Sequence, residues 1–296
     1  MRPRSAALPL RTRLAHGANR SMQIGTINLH TPAVMGILNV TPDSFSDGGC
    51  FVKRDAAIRQ AEAMAQAGAA IIDVGGESTR PGAAEVSEAQ EIDRVVPIIE
   101  EIRAVTDVPV SVDSSKAGVM RAAVDAGAEM INDVRALQDS GALEAAASLQ
   151  KPVCLMHMLG QPRTMQDSPS YENVTAEVAS FLDKRLQACV DAGLDRALIV
   201  IDPGFGFGKS HAHNVELLAN LRQLRRLGQP VMVGISRKST LGFLTGRETS
   251  ERMPASVAAA LVAVMAGAEI VRVHDVAATV DALKVGQAVM EMRSTA

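Results

Sequence analysis

The chain has 296 residues and a formal net charge of −3, and only 2% of its residues are aromatic. This near balance of charge argues against a nucleic-acid-binding surface or a polybasic membrane patch. With no Trp, the core must be built from Ala, Val, Ile, Leu and Met. No apolar run approaches the roughly 20 residues of a membrane span. The cysteines Cys50, Cys154 and Cys189 are too scattered for disulfide or metal motifs, so we expect a cytoplasmic protein with reduced thiols.

The first 22 residues differ in composition from the rest. They contain five arginines and no acidic residue, and the first acidic residue of the chain is Asp43. Such a segment is typical of a transit peptide or of a disordered basic extension. We favour the extension, and we expect residues 23–296 to form a single domain.

A short phrase recurs along the chain and indicates alternating helices and strands. Ala-Gly-Ala occurs at 67–69, 126–128 and 266–268, and each copy is followed by a short aliphatic run; a looser copy begins at Ala192. Glycine is the residue suited to the left-handed position that ends a helix. Each copy therefore predicts a helix end followed by a strand.

Filling the intervals between these phrases gives eight strand-then-helix units. The strands are almost continuously apolar, which indicates parallel pairing with both faces buried. Eight such units favour a closed (β/α)₈ TIM barrel, an α/β fold, and Gln23–Leu29 is expected to form a short β-hairpin arm at its lower end. The predicted strands are 34–38, 70–74, 108–112, 129–132, 152–156, 197–201, 231–235 and 269–273. The predicted helices are 53–67, 87–104, 116–126, 141–149, 172–191, 213–226, 253–267 and 276–290.

Polar residues follow or end every predicted strand, where barrel enzymes place their chemistry. Carboxylates and amides suit a heterocycle rich in N–H donors, whereas Arg grips phosphate through two hydrogen bonds. Capping of the next helix is the alternative for single residues such as Asp113. The set comprises Asn39, Asp73, Asp113, Asn132, His157, Asp202, Ser236 to Lys238, and Arg272 to His274, with Arg80 nearby.

Three glycine-rich loops follow predicted strands. Residues 39–49 and 75–82 are long and polar enough to act as lids, and ordinary flexible connections are the alternative. Asn39 and Asp47 in the first loop offer oxygen ligands for Mg²⁺. The third loop, 202–209, has GxGxG spacing without a P-loop frame. Its Phe207 is a candidate to stack on an aromatic ligand, with core packing as the alternative.

Long motifs at these junctions resemble those of the dihydropteroate synthase family, over about residues 22–290. Ser114 stands where Thr is common in that family, a small departure. The motifs are MGILNVTPDSFSDGG (35–49), IIDVGGESTRPGA (71–83), VSVDSSK (110–116), INDV (131–134), LMHM (155–158), IDPGFGFGK (201–209), ISRKS (235–239) and VRVHDV (271–276).

The resemblance implies condensation of 6-hydroxymethyl-7,8-dihydropterin pyrophosphate with p-aminobenzoate, in a homodimer whose p-aminobenzoate pocket is the sulfonamide target. It implies a pterin site of Asp113, Asn132, Asp202 and Lys238, and a pyrophosphate site of Asn39, Arg80, Arg272 and His274. Mg²⁺ would bind at Asn39 and Asp47. Phe45, Thr79, Arg80, Pro81, Phe207 and Ser236, with Lys238, would frame the p-aminobenzoate. Asn39, Asp47, Arg272, His274 and Lys238 form the expected catalytic set, and the role of Asp73 stays open.

Because the arylamine is itself a nucleophile, we expect catalysis by leaving-group stabilisation, without a covalent intermediate. Three other functions are compatible with the sequence. A folate-dependent methyltransferase has the same pterin-binding barrel but needs a cobalamin partner. A Schiff-base aldolase would use Lys238 as its nucleophile. A catalytically silent barrel would only bind pterin or phosphate.

Overall fold

The computed structural model describes residues 20–41, 50–78, 85–160, 165 and 169–294. Residues 1–19 and the predicted site residues Phe45, Asp47, Thr79, Arg80 and Pro81 lie outside these ranges. The strands are β1 Arg20–Ile24, β2 Ile27–Thr31, β3 Ala33–Asn39, β4 Ile71–Gly75, β5 Val110–Asp113, β6 Met130–Asp133, β7 Val153–Met156, β8 Ile199–Asp202, β9 Met232–Val233 and β10 Ile270–Val273. The helices are α1 Cys50–Gln66, α2 Glu88–Val105, α3 Ala117–Asp125, α4 Ala142–Leu149, α5 Val174–Asp191, α6 His211–Ala219, α7 Ser239–Thr245, α8 Met253–Met265 and α9 Val276–Ser294.

Strands β3 to β10 form a parallel barrel surrounded by helices, which confirms the predicted (β/α)₈ TIM barrel. Neighbours in the sheet are neighbours in sequence from β3 to β8, and β10 lies between β9 and β3. The ring closes where Ile201 pairs with Val231 just before β9, and the Ile201 amide donates to the Pro230 carbonyl at 2.9 Å. Within the described ranges, no helix is long and apolar enough to cross a membrane.

The leading hairpin covers the N-terminal end of the barrel, as predicted. β1 and β2 pair antiparallel, and the buried side chains of Ile24, Ile27 and Leu29 pack against Met35 and Met130 from inside the barrel. The hairpin begins at Arg20, so residues 20–22 belong to this folded arm rather than to the predicted basic extension. With that end filled by apolar side chains, the other end of the barrel is left for polar groups.

The recurring Ala-Gly-Ala phrase has the conformation predicted for a helix end. Gly127 and Gly267 follow α3 and α8, and both have a φ of +108°. An L side chain rarely adopts this backbone conformation, so glycine is what allows the chain to turn directly into the next strand.

The prediction was wrong in detail in the sixth and seventh strand-then-helix units. The predicted helix 213–226 divides into α6 and a 3₁₀ segment at 221–227, and β9 has only two residues. The sequence prediction missed α7, which contains two threonines and Gly242, residues of low helix propensity. Tertiary packing overrides that propensity, because the bare Gly242 leaves room for the guanidinium of Arg252.

Candidate active site

Four neighbouring strands place polar or small residues side by side at their C-terminal ends. The parallel register pairs Asn39 with Gly75, Gly75 with Asp113, and Asp113 with Asn132. Asp73 lies two residues before Gly75 and is therefore one layer deeper in the barrel. The barrel mouth thus has a polar upper layer above a second, buried carboxylate.

A charged network crosses the interior of the barrel. From β10, Arg272 donates through Nε to Asp73 Oδ2 and through Nη2 to Asp113 Oδ2, both at 2.6 Å. Asn132 Nδ2 donates to the same oxygen of Asp73 at 3.0 Å. Asp73 is fully buried, and its Oδ1 has no hydrogen-bond partner among the described residues. The network joins β4, β5, β6 and β10, and it fixes the orientation of each polar side chain.

Burial and charge pairing oppose each other in this network. Burial raises the pKa of Asp113 to about 7, although Arg272 favours its ionised form. Burial also raises the pKa of Asp202, against the pull of Lys238. For Arg272, burial disfavours the charged form, but Asp73 and Asp113 outweigh it and raise its pKa. The guanidinium therefore stays charged, while the carboxyl of Asp113 can gain or lose a proton near neutral pH.

Lys238 extends over the loop that follows β8. Its Nζ donates to the carbonyl of Phe205 and lies 4.5 Å from the centroid of the Phe207 ring. Burial lowers the pKa of Lys238 to about 8, although Asp202 favours the ammonium form. Asp202 Oδ1 accepts from the Gly204 amide at 2.7 Å, which fixes the carboxylate at the end of β8. This side of the mouth brings an ammonium, a carboxylate and an aromatic ring together.

A hydroxyl and an imidazole form the rim between β9 and β10. His274 Nδ1 and Ser236 Oγ are 3.0 Å apart, and the His274 amide also donates to Ser236 Oγ at 3.3 Å. Next to them, Arg237 donates two hydrogen bonds to the carboxylate of Asp275, through Nε at 3.1 Å and through Nη2 at 2.6 Å. Arg237 is therefore engaged in holding two loops together, whereas Ser236 and His274 are at the mouth.

The sequence and the fold are similar to those of known proteins over most of the chain. The pterin binding enzyme family matches residues 35–274. A dihydropteroate synthase of Haemophilus influenzae is 55% identical over 88% of this chain and 95% of its own length. One from Escherichia coli K12 is 50% identical over 90% and 95%. The chain belongs to the dihydropteroate synthase family.

Solved structures of this family have the same fold. A Xanthomonas albilineans dihydropteroate synthase with 4-aminobenzoic acid has a TM-score of 0.86 and 53% identity, covering 91% of this chain and 98% of its own. A structure of the Xanthomonas albilineans enzyme in complex with 7,8-dihydropteroate has a TM-score of 0.83 and 50% identity, covering 92% and 99%. A Yersinia pestis member with a sulfonamide drug has a TM-score of 0.87 and 50% identity, covering 92% and 99%.

The structure brings most of the described residues that the family resemblance implies to one mouth. The predicted pterin residue Asp113 and the predicted pyrophosphate residue Arg272 are ion-paired, so the two predicted subsites share a contact. Ser236, predicted beside p-aminobenzoate, contacts His274 of the predicted pyrophosphate site. Phe207 is buried, with only 8% of its surface exposed, yet its ring faces Lys238. Asp113 does not cap the following helix, because its carboxylate is turned toward Arg272.

Two further clusters were not assigned a function from the sequence. Lys116 Nζ bridges Glu77 and the buried Glu91, and Glu77 Oε1 also accepts from the Val86 amide at 3.2 Å. These contacts join Glu77 and Val86, which flank segment 79–84 in sequence, and that segment contains three predicted site residues. The second cluster surrounds Lys209, a buried lysine at the end of the loop after β8. In the sequence, the feature that could have indicated a role for Lys209 is its position directly after an alternating Gly-Phe run.

Proposed function

We propose that the protein condenses 6-hydroxymethyl-7,8-dihydropterin pyrophosphate with p-aminobenzoate, and so forms 7,8-dihydropteroate and pyrophosphate in folate biosynthesis. The observation that carries this proposal is the direct contact between the acceptor-rich pocket and Arg272. Such a site suits a substrate that carries an anionic leaving group next to a ring rich in N–H donors. The ring would bind in the acceptor-rich pocket and the leaving group near Arg272. The high identity to dihydropteroate synthases along nearly their whole length supports it.

The pocket fits a pterin because its polar groups are mostly acceptors. Ionised carboxylates of Asp113 and Asp202 accept hydrogen bonds from ring N–H and amino groups, and Asn132 can both donate and accept. Lys238 adds one donor for a ring acceptor. These groups are held by their contacts before any ligand arrives, so less conformational entropy is lost on binding.

Catalysis is expected to come from stabilising the leaving pyrophosphate. As the bond from carbon to oxygen breaks, negative charge develops on the pyrophosphate and positive charge on the pterin. We propose that Arg272 and His274 stabilise the negative charge and that the carboxylates of Asp113 and Asp202 stabilise the positive charge. The nitrogen lone pair of p-aminobenzoate then forms the new bond to carbon, and a proton leaves the nitrogen. No covalent nucleophile from the protein is needed.

The top of β3 has the donor chemistry for a magnesium ion. A Cβ placed on Gly75 would lie 3.5 Å from Asn39 Oδ1 and 3.8 Å from Asp113 Oδ2, so side-chain oxygens of the neighbouring strands β3 and β5 lie on either side of Gly75 at the barrel mouth. Oxygen ligands of this kind suit Mg²⁺, which when bound would neutralise charge on the phosphates. We propose Asn39 and Asp47 as its ligands. Asp47 is outside the described ranges, and within them no three His, Cys, Asp or Glu residues could jointly hold a metal.

The p-aminobenzoate site is proposed beside Lys238 and Phe207, together with Ser236. Phe45, Thr79, Arg80 and Pro81 complete this proposal from the two loops outside the described ranges, and Arg80 would also reach the pyrophosphate. The Xanthomonas albilineans relative solved with 4-aminobenzoic acid supports this assignment of the substrate class.

A coupled assay tests the proposed function. The purified protein is mixed with both substrates and Mg²⁺, and pyrophosphate release and dihydropteroate formation are followed together. Equal amounts of both products are expected when both substrates are present, and no dihydropteroate when p-aminobenzoate is omitted. Pyrophosphate release without formation of dihydropteroate would contradict a condensation. Trapping of a carbonyl substrate on Lys238 by borohydride would instead indicate the Schiff-base chemistry.

We also propose that the protein is a cytoplasmic homodimer. Five exposed apolar residues on α8 and α9 support a dimer interface at these helices: Val262, Met265, Val285, Val289 and Met292. Exposed apolar residues that form a continuous patch commonly mark an interaction surface.

A further inference from the structure

Lys209 is a buried lysine whose three donors are all used. Only 2% of its surface is exposed. Its Nζ lies 2.8 Å from His157 Nδ1, and it donates to the carbonyls of Gly204 at 2.9 Å and Phe207 at 3.0 Å. In its ammonium form Lys209 has three N–H donors and no acceptor, so in this form His157 Nδ1 accepts from it and the neutral imidazole has its proton on Nε2.

This arrangement is not explained by ion pairing. Among the described residues, Lys209 Nζ contacts an imidazole and two backbone carbonyls rather than a carboxylate, and burying a charge without such a partner is costly. Burial lowers the pKa of Lys209 to about 7, although Asp202 favours the ammonium form. Burial also lowers the pKa of His157 to about 3, and the neighbouring Lys209 adds to this effect. A hydrophobic residue would fill the same space without the free-energy cost of burying a charge. We therefore looked for a function of the hydrogen bonds that Lys209 forms.

The loop that Lys209 holds is the surface on which Lys238 lies. Phe205 accepts the hydrogen bond of Lys238 through its carbonyl, and the Phe207 ring faces the Lys238 ammonium. Between them, Gly206 has a φ of +78°, and a Cβ there would lie 3.1 Å from Cδ of Lys238. Lys209 binds the carbonyls of Gly204 and Phe207, on either side of the Phe205 carbonyl. A change in the loop would therefore move both groups that orient Lys238.

We infer that Lys209 and His157 are positioning residues for pterin binding: they hold the loop 204–207 in the shape that orients Lys238 toward the pocket. The inference rests on the proposed function, because it assumes that Lys238 binds the pterin. Neither Lys209 nor His157 needs to touch a substrate, and their effect on the reaction passes through Lys238.

A double-mutant cycle with Lys238 tests the inference. Pterin pyrophosphate affinity is measured by calorimetry without p-aminobenzoate for the wild type, Lys209→Met, Lys238→Met and the double variant. Lys209→Met is expected to weaken binding by about tenfold, the effect of losing hydrogen bonds to one charged group. In the Lys238→Met background, the same replacement is expected to have little further effect, because residues that act through one another are not additive.

Controls separate this role from a merely structural one. Lys184→Met removes an exposed lysine on α5 and is expected to bind pterin like the wild type. His157→Asn keeps an acceptor near the position of Nδ1, so it should bind more tightly than His157→Leu, which removes the acceptor. Thermal unfolding establishes that each variant is folded, and the His157 pair provides the test if Lys209→Met does not fold.

The possible outcomes are distinct. Wild-type protein that does not bind the pterin pyrophosphate would contradict the proposed function itself. Wild-type binding with unchanged affinity in Lys209→Met would overturn only the inference. The same would follow if Lys209→Met weakened binding equally with and without Lys238, or if His157→Asn and His157→Leu were indistinguishable.

Discussion

Arg272 has two roles that one substitution can separate. Its guanidinium neutralises Asp73 and Asp113, and it is also the cation proposed for the leaving group. Arg272→Ala leaves two carboxylates in the barrel without their partner, and breaking a buried ion pair in this way costs about 3–5 kcal/mol. Loss of activity in this variant alone would therefore not distinguish unfolding from loss of catalysis.

Arg272→Lys is the more informative variant. It keeps a positive charge between the carboxylates but cannot donate to both with the geometry of a guanidinium. We expect its melting temperature to stay closer to the wild type than that of Arg272→Ala. Its kcat/KM should nevertheless fall by about 10²-fold, the size seen when a charge-stabilising donor is lost. Full activity in Arg272→Lys would contradict a specific role for the guanidinium in catalysis.

The titration of Lys238 gives a prediction on pH. Burial lowers the pKa of Lys238 to about 8, and the charged groups that act on it are Asp202, Arg272 and Asp113. The ammonium form predominates below this pKa, and only that form is a charged donor. Affinity for the pterin substrate should therefore fall as pH rises through about 8 in a calorimetric titration series.

Lys238→Arg is the matched control for this pH dependence. Its guanidinium remains charged throughout the same range, so any remaining decline must come from another group or from the ligand. A wild-type affinity that stays constant across this range would show that protonation of Lys238 does not contribute to binding.

At the scale of a whole element, the loop after β8 provides a test with an internal control. Gly206 and Gly193 both have left-handed φ angles, of +78° and +92°. Replacement by Ala should destabilise either position by about 1 kcal/mol through backbone strain. At Gly193 nothing lies within 4 Å of the new Cβ, whereas at Gly206 it meets the side chain of Lys238.

Gly206→Ala should therefore weaken pterin binding, and Gly193→Ala should not, although both lose similar thermal stability. The comparison uses calorimetry for binding and thermal unfolding for stability. If both variants bound the pterin with wild-type affinity, the contact between the loop and Lys238 would have no bearing on recognition.

The barrel units could be predicted from the sequence, whereas contacts between distant residues could not. The barrel follows from local signals, because continuous apolar strands and glycines such as Gly127 specify each unit by themselves. The pairing of Arg272 with Asp73 joins residues 199 positions apart, so no local pattern indicates it. Lys209 was missed because lysine is rarely buried and because two of its partners are backbone carbonyls, which the sequence does not distinguish.

For the whole molecule, the exposed apolar residues of α8 and α9 predict how two copies of the chain associate. On α9, Val285, Val289 and Met292 are 67%, 52% and 56% exposed. Their spacing of four and three residues places them on one face of the helix. The adjacent helix α8, which packs against α9, also exposes Val262 and Met265. Exposed apolar side chains on two neighbouring helices are costly to leave in water, and we expect a second copy of the chain to cover those of α9.

Val289→Glu tests this assembly, because a carboxylate at the centre of an apolar interface would be buried without a partner. We expect the wild type to sediment as a dimer and Val289→Glu as a monomer at the same concentration. Gln60→Glu, which adds the same charge at an exposed position of α1, should remain dimeric. Val289 lies 13 residues after the start of α9, about 20 Å along the helix axis, so the monomer should still bind the pterin. A dimer that persists in Val289→Glu would show that the chains associate through a different face.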